Sequence, residues 1–133
     1  YCYIAIDIDH FKNINDTWGH ATGDSVLKSI SSTIKSTLRV TDNVGRMGGE
    51  EFLLISIETN IDQAMALAER IRNKVEAIQH PHQQHKPVTI SVGVAELTKQ
   101  ASLDELMAQA DEALYQSKNN GRNQVTRYQE PTV

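Results

Sequence analysis

Two short segments hold the residue types best suited to chemistry: Asp7-Ile8-Asp9 and the run Arg46-Met47-Gly48-Gly49-Glu50-Glu51-Phe52. Clustered carboxylates are the hard oxygen ligands that Mg²⁺ selects, while Gly48 and Gly49, lacking a Cβ, let a backbone turn tightly and approach a phosphate. The run therefore offers both halves of a metal–triphosphate site. Such carboxylates act together only if the fold joins them. Tyr3 to Ile8 alternates and is rich in large apolar residues, as a buried strand would be, and it delivers Asp7 and Asp9 to one face at its end. Gly48-Gly49-Glu50-Glu51 lies between two apolar runs and reads as a hairpin turn. Neighbouring strands are about 4.8 Å apart, so a strand end beside that turn can set Asp7 and Glu50 on one cation. The competing reading, a solvated acidic turn, leaves Asp7 and Asp9 at the end of an apolar strand with no structural purpose.

The elements that must hold these residues follow from periodicity. Asn13 to Gly23 mixes Asn, Asp, Thr and Gly and reads as irregular, with at most one or two helical turns over His10 to Ile14. From Asp24, the residues Val26, Leu27, Ile30, Ile34 and Leu38 recur at helical spacing, with Thr22 or Gly23 as the cap. Strands over Asn43 to Met47 and Phe52 to Ile57 flank the turn. Asn60 with Gln63 forms a capping box for a second helix, whose stripe runs from Ile61 to Ile78 before Pro81 stops it. Val88 to Val94 alternates with Thr89, Ser91 and Gly93, which predicts a strand with one apolar and one more polar face. Ser102 with Glu105 repeats the capping box ahead of a last helix striped by Leu103, Leu106, Met107, Ala110 and Leu114, and Gln124 to Tyr128 closes the chain as a short strand. Strand, helix, hairpin, helix, strand, helix, strand predicts an α/β (α+β) domain with a mostly antiparallel sheet of about five strands and flanking helices.

Composition bounds what such a domain can do. The 133 residues suffice for one globular domain and its core, and 13 basic against 17 acidic side chains give a net charge of −4, which argues against a nucleic-acid-tracking surface. Cys2 is the sole cysteine, so no intrachain disulfide is possible and a reducing cytoplasmic setting fits. No apolar run approaches the roughly 20 residues of a membrane span. The chain starts inside an apparent strand, as a piece of a longer protein would. Only His80-Pro81-His82-Gln83-Gln84-His85 is compositionally biased; its three histidines invite a metal reading, against which a solvated loop is the commoner outcome.

Taken together, Asp7-Ile8-Asp9-His10-Phe11-Lys12-Asn13-Ile14-Asn15 through Gly19-His20, then Gly23-Asp24, the Gly48-Gly49-Glu50-Glu51-Phe52 turn and Lys118-Asn119-Asn120-Gly121-Arg122-Asn123 closely resemble the GGDEF family of diguanylate cyclases. The resemblance covers essentially all of 1–133. It implies a palm-like, nucleotidyl-cyclase-type fold and condensation of two GTP to cyclic di-GMP with release of two pyrophosphates. It further implies Mg²⁺, or Mn²⁺ in its place, on Asp7, the Ile8 carbonyl, Glu50 and Glu51, with Glu50, Glu51 and Lys12 as catalytic residues. On the substrate side it implies Phe11, Asn15, His20, Asp24, Gly48, Gly49, Lys118 and Arg122, Asn15 and Asp24 reading guanine and the two cations meeting the triphosphate. Arg39-Val40-Thr41-Asp42 matches the family's Arg-x-x-Asp site, where product restrains the enzyme: Arg39 can pair with phosphate and stack on guanine, and Asp42 can accept from a base edge. Catalysis would need a homodimer, each subunit bringing one GTP, and an N-terminal sensor or regulatory domain in a parent protein open to membrane tethering. The segment Asp-x-Leu-Thr-Gly-Leu-x-Asn-Arg that precedes the first strand in the family is absent, so the domain reads as truncated at its N-terminus. Two other classes compete: a degenerate module that binds GTP or cyclic di-GMP without catalysis, and a related palm-fold nucleotidyl cyclase or polymerase acting on another nucleotide.

Overall fold

Apolar alternation on β1 (Cys2–Ile8) splits the molecule into two layers around one sheet. Cys2, Ile4, Ile6 and Ile8 face a large core cluster, whereas Tyr3 and Ala5 face a smaller one with Ala95, Leu106, Ala110 and Leu114. The computed structural model describes residues 1–39, 42–46, 49–82, 86–98 and 101–130. Met47, Gly48 and His85 lie outside them.

The other elements are α1 (Phe11–Trp18), α2 (His20–Thr37), β2 (Asp42–Arg46), β3 (Glu51–Ser56), α3 (Ile61–Glu76), β4 (Ile90–Glu96), α4 (Leu103–Asn119) and β5 (Val125–Arg127). The sheet order is β2-β3-β1-β4-β5. Every neighbouring pair is antiparallel except β4 with β5, which is parallel across the α4 connection. The expected mostly antiparallel five-stranded sheet is thus present. Among the described residues, no helix is long and apolar enough to cross a membrane.

Two local expectations are corrected and a third is sharpened. The segment read as irregular is the helix α1 through Trp18, and α2 begins at His20 rather than Asp24. Its polar residues lie outward while Phe11 and Ile14 are buried, and Gly19, at φ 91°, breaks the two helices apart where a Cβ would be strained. The α4 capping box is half formed: the Ser102 hydroxyl accepts from the Glu105 N–H, but Glu105 does not return the bond to the cap's backbone. Asn60 and Gln63 do make the reciprocal pair at α3. Finally, β4 has no solvated face; all of Ile90–Ala95 is buried. Its polar side carries Ser91 and Gly93 because α4 packs there, and small residues allow helix and strand to approach closely.

Candidate active site

Register sets the first two carboxylates. Asp7 stands directly opposite Glu51 on β3 and Ser91 on β4, and the Ile8 N–H donates to the Glu50 carbonyl at 3.2 Å. The hairpin end is therefore stitched to the end of the central strand, as the sequence required. Like charges on directly opposed positions repel, so the fold must compensate. Lys118 does so from α4 through an ion pair to Asp7 Oδ2. The other oxygen, Asp7 Oδ1, is buried with no hydrogen-bond partner among the described residues.

The electrostatics carry the same sign of imbalance. Partial burial of the Glu51 carboxyl, then the Asp7 carboxylate, raise its pKa above the ordinary value; Lys118 opposes this, and Asp111 and Glu50 add to it. Glu51 itself is exposed, so water screens much of this field, and the shift marks concentrated negative charge rather than a large stability effect. Asp111 was missed in the sequence. It lines a cleft of about 70 Å³ with Glu51, Met107 and Leu114, and its spacing of two helical turns before Lys118 was the signal that could have found it. Among the described residues no three His, Cys, Asp or Glu side chains already converge as a metal cage. What is present is a donor set of hard oxygens, one of them orphaned, held by a lysine cation; that chemistry fits a hard divalent ion.

Asp9 has a different fate from the one expected. It accepts from Thr89 Oγ1 at 2.7 Å, Ser91 Oγ at 2.6 Å and the Asn123 N–H at 3.0 Å. It is a latch, holding the turn after α4 to the sheet. That turn is unusual: Gly121, Arg122 and Asn123 all have positive φ, at 114°, 65° and 47°. Asn123 is held from the other side by Arg72 and Glu76 of α3. The structure thus fixes the backbone that carries exposed Arg122 close to the strand end that carries Asp7.

The packing of α1 on α2 sets Asn15 against Gly23, the residue before Asp24. Asn15 Oδ1 lies so near Gly23 that a Cβ there would sit 1.8 Å from it. Asp24 is exposed and opens onto a groove of about 550 Å³ with Lys28, Ser31 and Lys35. His20 and Lys12 are exposed at the starts of α2 and α1. Phe11 is buried in the core beneath Gly23, so it supports this corner from below and offers no surface to a ligand. Gly49 lies in the turn, while Gly48 is outside the described residues.

Arg39 and Asp42 are joined, but not as two open ligands. The Asp42 side chain is 0% exposed; it accepts from the Arg39 N–H at 2.9 Å, Ser56 Oγ at 2.7 Å and the Arg39 guanidinium at 3.4 Å. Burial alone would raise its pKa, but these hydrogen bonds and the Arg39 charge hold it below the ordinary carboxylate value. The expectation that Asp42 reaches a base edge is corrected, because its oxygens are spent inside. Arg39, at 51% side-chain exposure and further held by Thr59 at 2.7 Å, is the accessible member.

Comparison with known proteins agrees with this architecture. The family model "Diguanylate cyclase, GGDEF domain" matches residues 1–124. Diguanylate cyclase A of Treponema denticola is 49% identical over 125 residues, covering 92% of this chain and 34% of that protein. The chain thus spans about a third of the length of that curated relative. The active GGEEF domain of a diguanylate cyclase from Vibrio cholerae superposes with a TM-score of 0.91 at 34% identity, over 98% of this chain and 83% of that one. The GGDEF domain of DgcB from Caulobacter crescentus, solved in complex with c-di-GMP, gives 0.88 at 38% identity, over 95% and 76%. A hairpin glutamate directly opposite the central strand's aspartate, with a lysine from the last helix paired to that aspartate, thus occurs in a chain that belongs to the GGDEF diguanylate cyclase family.

Proposed function

We propose that this chain is a diguanylate cyclase catalytic domain, condensing two GTP to cyclic di-GMP with release of two pyrophosphates. The observation that carries the reading is the Asp7–Glu51 cross-strand pair, with its orphaned Asp7 Oδ1 and its Lys118 counter-charge, in a chain of this family. Asp7, the Ile8 carbonyl, Glu50 and Glu51 would hold the divalent cation, Mg²⁺ or Mn²⁺. When bound, it supplies neutralisation of the charge that develops on the α-phosphate and the departing pyrophosphate.

The chain's own residues supply the rest. Lys12, Lys118 and Arg122 bind the triphosphate, Lys118 being shared between Asp7 and the phosphates. Glu51, directly across the strand pair from Asp7, takes the proton of the 3′-hydroxyl. Each 3′-oxygen forms a bond to the α-phosphorus of the other GTP, and the bond from that phosphorus to the bridging oxygen of pyrophosphate breaks. Asn15 supplies a donor and an acceptor to guanine and Asp24 accepts from its N1 and N2 hydrogens; adenine has no such donors and leaves that carboxylate unpaired. His20 lies on the same side, and Phe11 with Gly23 braces Asn15.

One chain offers one substrate's set of contacts, so two chains must meet face to face, and a dimeric sensor or regulatory domain would raise their effective concentration. Product restraint is assigned to Arg39 as the phosphate donor, with Asp42 orienting it. Incubation with GTP and Mg²⁺ across protein concentrations tests the reading. Cyclic di-GMP should form with a specific activity that rises with concentration and should be lost in Glu51→Gln. A flat profile from a monomeric sample sinks the half-site account, and GTP bound but never converted at high concentration sinks the activity.

A further inference from the structure

We propose that His80 and His82 form a two-histidine site for a zinc-class transition-metal ion, separate from the acidic site at Asp7. The pair lies in the connection between α3 and β4. His80 is only 6% exposed, and the Nε2 atoms of both His80 and His82 are buried without a hydrogen-bond partner among the described residues. Orphaned ring nitrogens are uncommon inside proteins, and two on residues separated by one proline call for a shared explanation. Their ring centroids are 5.7 Å apart. Two imidazoles on one tetrahedral ion, with metal–nitrogen bonds of about 2.0–2.1 Å, have centroids about 5 to 5.5 Å apart, close to the separation seen here.

Imidazole nitrogens suit zinc, copper, nickel and cobalt, whereas Mg²⁺ takes oxygen, so the two sites do not compete for one ion. Among the described residues no third His, Cys, Asp or Glu joins the pair. Water would complete the coordination, which makes this an exchangeable site rather than a closed structural one.

The position gives a built-in reporter. His82 packs edge-on against Trp18, with centroids 5.3 Å apart and planes at 61°. Trp18 is the chain's only tryptophan and is 49% exposed at the end of α1. An ion on His82 must therefore change the electronic surroundings of the sole indole. Protein stripped with a chelator and held in excess Mg²⁺ is titrated with Zn²⁺, following Trp18 emission and the heat of binding. Expected are a saturable emission change and one ion per chain, with His80→Asn and His82→Asn each weakening binding roughly tenfold or more.

Because His80 is buried and its variant can lose stability, the histidine ring nitrogens of the unmodified protein are also followed by NMR. The Nε2 signals of His80 and His82 should move together with added Zn²⁺. Absence of saturable binding, Nε2 signals that stay put, or full Zn²⁺ binding retained in a folded double variant overturns the proposal. None of these outcomes depends on cyclase activity.

Discussion

Gly93→Ala should be among the most damaging single-methyl additions this chain can receive. A Cβ at Gly93 would lie 2.2 Å from the Ala110 carbonyl oxygen, 2.2 Å from the Leu114 nitrogen and 2.8 Å from the Ala113 carbonyl carbon. All three are backbone atoms of α4, so no side chain can swing aside. Restoring an ordinary contact of about 3.4 Å requires α4 to retreat by about 1 Å, and a gap of 0.5–1 Å already forfeits a quarter to a half of each dispersion contact it opens. The contacts at risk are those of Leu106, Ala110 and Leu114 on Tyr3, Ala5 and Ala95. Overpacking costs about 1–3 kcal/mol, and a backbone obstacle puts this case at the upper end, about 3 kcal/mol. For a domain of this size that is a fall of about 10 °C in melting temperature. Urea and thermal unfolding measure it directly, with Gly45→Ala as the control, since nothing lies within 4 Å of that site. The function should fall further than stability alone explains, because Ser117, which donates to the Val92 carbonyl at 2.7 Å, and Lys118 move with the helix. A Gly93→Ala protein melting with the parent would refute the reasoning.

Gly23→Ala makes a contrasting case: its obstacle is the Asn15 side chain, which can move, so stability should change by less than about 1 kcal/mol while KM for GTP rises and discrimination against ATP weakens in steady-state assays. Asp9→Ala strips partners from buried Ser91, from Thr89 and from the Asn123 N–H; leaving them unsatisfied should cost about 3 kcal/mol by denaturant titration, and unchanged stability would refute its role as a latch. Asp42 sets an acid limb: its pKa is depressed in the fold, so its stabilisation is present above the ordinary value of 3.8 and lost as pH falls through the lower folded value. Asp42→Asn should flatten that limb in melting-temperature scans against pH, and a limb of unchanged depth would show that other carboxylates cause it.

The long helices and the core strands were legible because their periodicity is strong, and the hairpin because its turn residues separate two apolar runs. The α1 segment was not, since Asn13, Asn15, Asp16 and Thr17 have poor helix propensity and only Phe11 and Ile14 are buried; packing of those two overrides local preference. At the site, the partnership of Asp7 with Glu51 was readable from strand ends and turn chemistry. The inward turn of Asp42 was not, because Ser56 and Thr59, which hold Arg39 and Asp42, belong to the neighbouring strand and its following loop. Side chains recruited from distant elements leave no trace in local spacing.

Asp7 and Asp9 show why residue type alone could not separate structure from chemistry. They lie two residues apart at the end of one strand, and both are buried. Asp9 receives three donors within 3.0 Å, from Thr89, Ser91 and the backbone of Asn123, and both its oxygens are engaged. Asp7 receives one lysine on one oxygen and faces a second carboxylate across the strand. A carboxylate with satisfied oxygens would lose those bonds on meeting a cation, whereas one with an orphaned buried oxygen has only to gain. The difference assigns Asp9 to the framework and Asp7 to the ligand. It also explains the latch of Thr89, Ser91 and the Asn123 N–H: without it, a second unsatisfied carboxylate would sit beside the first and the strand end would repel itself apart.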